Sequence, residues 1–159
     1  MKQSMVDPKL FRSVMGRFTT GVTIVTTRTG EVIHGMTANA FMSVSLEPPL
    51  VLVSVGQRAR LHAYLQEASH YGVSILAAHQ QRLSDHFAGR TQEAFDPEFV
   101  EILGVPLIPG ALAHIVAEIA ARYPVGDHTL FVGQVLHLAH QPLAPLVYHS
   151  GQYCALGQT

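Results

Sequence analysis

Apolar runs along this chain are short, and clusters of Gly, Pro, Asn, Asp and Thr separate them, so each run predicts one element. Asp7-Pro8 is a helix start, an N-cap followed by proline at the first helical position. Leu10, Phe11, Val14 and Met15 then fall at helical spacing, and Gly16 ends the helix. Over residues 21–27, Val22, Ile24 and Thr26 alternate with Thr23, Val25 and Thr27, which predicts a strand. Arg28-Thr29-Gly30-Glu31 turns the chain, and residues 31–36 return as the second arm of a hairpin. Residues 41–46 and 50–55 are further strands, broken apart by Pro48-Pro49. Residues 59–66 predict a helix, 71–76 a strand and 80–88 a helix.

Residues 89–110 read as a loop with one short helix after Asp96-Pro97. A connection that long points to a functional or interface role. Residues 113–123 leave two readings open. The alanines suit a helix, whereas Ile115, Ala117, Ile119, Ala121 and Tyr123 share one face at the strand period. Residues 129–138 predict a long strand, and 145–148 with 152–156 a closing hairpin. Many short strands with a few helices between them predict a mainly β chain, a closed or half-open barrel with peripheral helices. No repeat or linker divides it, so one domain over residues 1–159 is expected.

Composition narrows the partners. The chain is 48% hydrophobic and 13% charged. That suits a sizeable core, and so few charges imply that a second copy of the chain covers part of the apolar surface. Net charge is −1, and the nearest thing to a basic cluster is Arg58 with Arg60, so nucleic acid is not expected. The sole cysteine, Cys154, suits a reducing cytoplasm. Residues 1–10 carry Lys2, Asp7 and Lys9 and lack the apolar core of a signal peptide. No apolar run approaches the ~18 residues of a membrane span.

Several chemistries have no motif here: no G-x-G-x-x-G after a strand, no phosphate-binding P-loop, no G-x-S-x-G and no C-x-x-C. Ten histidines invite a metal reading, but their spacing does not support one. His137 and His140 point to opposite faces of a strand, and His79 and His86 have no carboxylate–histidine pair at ligand spacing.

Three stretches carry candidate chemistry. Residues 35–50 set Thr37, Asn39, Ser43 and Ser45 among small and apolar residues. Such a surface suits a flat apolar ring with a polar edge, and equally a polar-faced strand in water. Ser54-Val-Gly-Gln-Arg-Ala-Arg60 joins a buried strand to a helix. Its backbone N–H groups with Arg58 or Arg60 could hold a phosphate, or it is an ordinary turn with solvated arginines. Gly126-Asp-His128 leads into a strand. Asp127 could fix the tautomer and orientation of His128 toward a cleft, or the histidine is simply solvated in a turn.

The three stretches occur in order with Phe11-Arg12, Gly16, Phe18-Thr-Thr-Gly-Val22, Phe87-Ala88, Phe131-Val-Gly133, Pro145-Leu-Val-Tyr148 and Gly151-Gln-Tyr153. As a set, over nearly the whole chain, they resemble the short-chain flavin reductase family. Its FMN-binding split-barrel fold includes the reductase components of two-component flavin monooxygenases. The resemblance implies a mainly β split barrel with peripheral helices, homodimeric, with FMN or FAD near the subunit interface. It implies NADH or NADPH as hydride donor and a monooxygenase receiving the reduced flavin; the sequence shows no obvious cluster for a 2′-phosphate, which mildly favours NADH. The same barrel also serves flavoproteins that carry electrons or bind flavin without being reductases.

By the same resemblance, Thr37, Ala38 and Asn39 line the flavin ring or ribityl chain, with Ala40 and Ser43 counted among the cofactor-binding residues. Ser54, Val55, Gly56 and Arg60 lie toward the phosphate, and Phe87 lies near the flavin or the interface. Gly126, Asp127 and His128 face the nicotinamide. Hydride transfer needs no nucleophile, so His128 is expected to position the nicotinamide rather than to move a proton. Two residues depart from the family pattern. Ser74 stands where asparagine is usual, and Ala40 where many members have serine.

Overall fold

In the computed structural model, which describes residues 5–157, the undecided stretch is a strand, β9 (Ala113–Val125). It lies between β6 (His70–Ile75) and β10 (His128–His140) and bonds to both. Ile115, Val116 and Ala117 are all buried, so both faces of the strand pack, which a helix with one apolar stripe could not achieve. The remaining strands of the large sheet are β2 (Thr23–Thr29), β3 (Val32–Ala38), β4 (Phe41–Leu46) and β5 (Pro49–Gly56). All neighbours are antiparallel, in the order β3-β2-β6-β9-β10-β5-β4. Residues 1–4 and 158–159 lie outside the described residues, and with them the ends of the expected 1–159 domain and part of the N-terminal reading.

The edge strands β3 and β4 do not pair with each other, and this is the split in the barrel. Helix α2 (Arg60–Glu67) packs on β2 and β3 at one end of the strand order and on β5 near the other. Its Leu61 and Leu65 are buried among Val25, Val53, Val55, Tyr71 and Phe131. Burying each leucine contributes about 1.5–3 kcal/mol. The Tyr71 hydroxyl, sealed in this core, donates to the carbonyl of Phe131 at 3.0 Å, and burial pushes its pKa up.

A second apolar cluster (Val22, Ile24, Leu76, Ile108, Ala111 and Leu146) lies beside a three-stranded sheet. That sheet consists of β1 (Thr20–Gly21), β11 (Val147–His149) and β12 (Gln152–Cys154), so the expected closing hairpin forms and pairs with β1 near the start of the chain. A 3-10 turn (Ala78–Gln80) leads into α3 (Gln81–Phe87). Helix α1 (Pro8–Met15) starts at Asp7, whose carboxylate accepts from the Lys9 N–H at 3.0 Å, and none of its residues is buried.

The stretch 89–110 differs from expectation. No helix follows Asp96-Pro97. A hairpin forms instead from β7 (Val100–Ile102) and β8 (Val105–Leu107), turning at Leu103 and Gly104, both with positive φ. Val105 and Leu107 bury against Val116. Phe95 and Phe99 make edge contacts with His86 and Phe87, which draw the segment onto α3 in an irregular path and leave no apolar stripe for a helix.

Candidate functional site

The open end of β5 and the start of β10 build one half of the site. In their register Gly56 opposes His128, Val55 opposes Thr129 and Ser54 opposes Leu130. Val53, Val55 and Phe131 point into the core, so Ser54 and Gly56 share the outer face of the sheet with His128 and Leu130. Gly126, at φ +59°, supplies the left-handed residue of the turn from β9 to β10. His128 Nδ1 then lies 2.8 Å from Asp127 Oδ1, although both side chains are exposed. With the proton on Nδ1, the carboxylate fixes the ring and leaves Nε2 as an acceptor directed across Gly56. The hydrogen bond from His128 is the chief cause that holds the Asp127 carboxyl below its ordinary pKa, with a smaller contribution from Arg58. A Cβ built on Gly56 would meet only the His128 ring, at 3.7 Å, so this end of the sheet is open.

The Ser54 N–H donates to the Ala40 carbonyl at 3.0 Å, which ties this end to the Asn39-Ala40 turn between β3 and β4. Behind the turn lies a cleft of about 170 Å³ lined by Thr37, Ala38 and Asn39 on one side and by Ser84, Arg90, Tyr148 and Tyr153 on the other. Thr37 donates to the Ser84 carbonyl at 2.6 Å, and the buried Thr23 hydroxyl donates to the Ala38 carbonyl at 2.7 Å. Both contacts fix the path of β3 into the cleft. Asn39 is exposed, and its amide has no hydrogen bond among the described residues.

Ala40, next to Thr37, Ala38 and Asn39 in the chain, thus meets Ser54, and two residues further along β5 Gly56 stands opposite His128 of the 126–128 turn. Three expected residues lie elsewhere. Ser43 is exposed further along edge strand β4, opposite Val51. Arg60 is exposed at the first residue of α2. Phe87 packs against β3, where a Cβ on Gly35 would come within 2.7 Å of its ring, and against Phe99. Ser74 is fully buried, and its hydroxyl accepts the Ile108 N–H at 2.9 Å. Arg90 and Ser84 were not singled out from the sequence. Their only signal was proximity to Phe87-Ala88, because the fold alone brings them to Tyr148 and Tyr153.

The arrangement fits a flavin. The cleft is too small for the whole molecule, but its hydroxyls and guanidinium over an apolar floor of Val22 and Ala38 suit a ribityl chain and phosphate. The open strand end beside it leaves room for a flat ring. Among the described residues no group of three or more His, Cys, Asp or Glu side chains is placed to hold a metal ion. No helix among them is long and apolar enough to cross a membrane.

Similar proteins point the same way. An NADH-dependent flavin reductase of Rhodococcus sp is 49% identical over 154 residues, 95% of this chain and 88% of the relative. The reductase component of 4-hydroxyphenylacetate 3-monooxygenase from Thermus thermophilus is 43% identical over 90% of this chain and 93% of its own. The solved structure of the flavin reductase PheA2 in its native state superposes with a TM-score of 0.94 at 46% identity, covering 96% of this chain and all of that one. The family model for the flavin reductase like domain matches residues 15–157, and this chain is a member of that family.

Proposed function

We propose that this protein uses NADH to reduce FMN or FAD and hands the reduced flavin to a separate monooxygenase. The observation that carries the reading is the Asp127–His128 pair standing across from Gly56, at an open strand end that continues into a polar cleft. When bound, the flavin accepts the hydride of the nicotinamide. The protein's part is to align the two rings, which must approach to about 3–3.5 Å. His128, held by Asp127, orients the nicotinamide from the β10 side. The Asn39-Ala40 turn and Ser54 support the ring on the other, and Thr37 and Asn39 lead the ribityl chain into the cleft.

The single-domain reading covers the whole chain, and the lone cysteine favours a cytoplasmic setting. The protein acts as a homodimer. Met42, Tyr123 and Val125 are more than half exposed on the strands that carry the site, and α1 leaves Leu10, Phe11, Val14 and Met15 uncovered. An apolar surface of that extent beside a reaction that must exclude water is suited to a second copy.

Purified protein is tested by following NADH absorbance with and without added FMN or FAD. Oxidation that rises and saturates with added flavin supports the reading. No NADH consumption with either flavin sinks it, and turnover that is independent of added flavin removes the hand-off to a partner.

A further inference from the structure

We infer that His62 is a positioning residue for the nicotinamide, because its hydrogen bond to Thr129 holds the strand start that carries His128; this deepens the reductase reading above and rests on it. His62 Nε2 lies 2.8 Å from Thr129 Oγ1. Thr129 is buried, so in the alternation of β10 its side chain points inward, while that of His128 points out over Gly56. The Thr129 hydroxyl has no other hydrogen-bond partner among the described residues. Without His62 it would be a buried hydroxyl left unpaired, and the strand start would shift to relieve it.

That strand start needs an anchor. Strand β6 pairs with β9 only as far as Glu118, opposite His70, and the Ile119 N–H still reaches the Ser69 carbonyl. Beyond Ile119, β9 pairs with β10 alone, so the 126–128 turn ends a ribbon braced by β5 on its β10 side. Helix α2 supplies further braces. Arg122 of β9 donates to the Leu65 carbonyl at 3.2 Å and to the Ala68 carbonyl, at the C-terminal end of the helix. Ahead of the helix, the Gln57 N–H donates to the Asp127 carbonyl at 2.9 Å, while the Gln57 side chain reaches the His128 carbonyl only at 3.5 Å. His62, in the first turn of α2, makes the short side-chain bond to the start of β10, and its ring meets Phe131 edge-on at 5.6 Å between centres. A misplacement of about 1 Å at a reacting centre is costly, so slack at Thr129 is felt through its neighbour His128.

The test is steady-state kinetics with NADH and flavin varied in turn. His62→Leu keeps an apolar contact for Phe131 and removes the ring nitrogens. It is expected to raise KM for NADH about threefold to fivefold and to leave KM for flavin within about twofold. His62→Gln, whose amide can reach the same hydroxyl, should restore KM for NADH to within about twofold of the wild type. Thr129→Val removes the hydroxyl at nearly constant shape and should match His62→Leu, and the two together should be no worse than either alone. It decides the matter if His62→Leu does not fold. In a His128→Ala background, His62→Leu should change KM for NADH by less than about twofold, because the group it positions is already gone. An unchanged KM for NADH in His62→Leu, an equal rise in KM for flavin, or the full effect in the His128→Ala background would each overturn the proposal. If the wild type consumes no NADH, the reductase reading falls and carboxyl NMR decides this inference. His62→Leu should then move the Asp127 midpoint toward the ordinary aspartate value as His128 disengages, and an unmoved midpoint overturns it.

Discussion

The Nδ1 of His128 lies 2.8 Å from Oδ1 of Asp127, a contact between chain neighbours that fixes the imidazole over Gly56. His128→Ala removes the group proposed to orient the nicotinamide, and His128 does not line the cleft beside β3. The expected outcome is an increase of about tenfold in KM for NADH, with KM for flavin nearly unchanged. Steady-state kinetics with each substrate varied in turn check it. An unchanged KM for NADH removes the role of His128.

The Asp127 carboxyl should titrate below the ordinary aspartate range, chiefly because His128 hydrogen-bonds to its charged form. A carboxyl lowered in the folded state favours folding above its unfolded pKa, and that contribution disappears as pH falls through the folded value. Asp127 is exposed, so solvent screens most of this, and the measurable effect is the titration itself. Carboxyl NMR should give a depressed midpoint in the wild type and a return toward the ordinary value in His128→Ala.

Leu65 is fully buried under α2, which packs on β2 and β3 near one end of the sheet order and on β5 near the other. Leu65→Ala should cost about 2–5 kcal/mol, because the sheet edges cannot close fully on the cavity left behind. Denaturant unfolding measures it. A loss below about 1 kcal/mol would mean that the helix does not hold the edges together.

Val14 is more than half exposed on α1, none of whose residues is buried. Val14→Glu places a charge in the face assigned to the second copy. Sedimentation should give twice the chain mass for the wild type and a shift toward the single-chain mass for the variant. A wild type that sediments as one chain at micromolar concentration would remove the dimer.

Much of the sheet could be read from the chain because its strands alternate or carry β-branched residues, as at Thr23-Ile-Val-Thr26. Residues 113–123 resisted a decision because burial on both faces blurs the strand period, and one of the two flanking strands that settle it, β6, is remote in sequence. The helix expected after Asp96-Pro97 does not form because Phe95 and Phe99 are claimed by rings on α3, a tertiary preference that no local pattern carries. Of the site, the 126–128 turn and residues 37–40 were legible, since Gly126, Asp127 and the small residues have local signatures. Arg90 was not, because what sets it apart is a pair of tyrosines more than fifty residues away.

The two walls of the cleft are made at very different times. Thr37 to Asn39 emerge early in synthesis, and Tyr148 and Tyr153 come after every strand of the large sheet is complete. A nascent chain can therefore fold its barrel before it can grip a cofactor. The last wall of the cleft is thus the last part of the candidate site to be made, and a product cut short before residue 147 would lack Tyr148 and Tyr153 while retaining every strand of the large sheet.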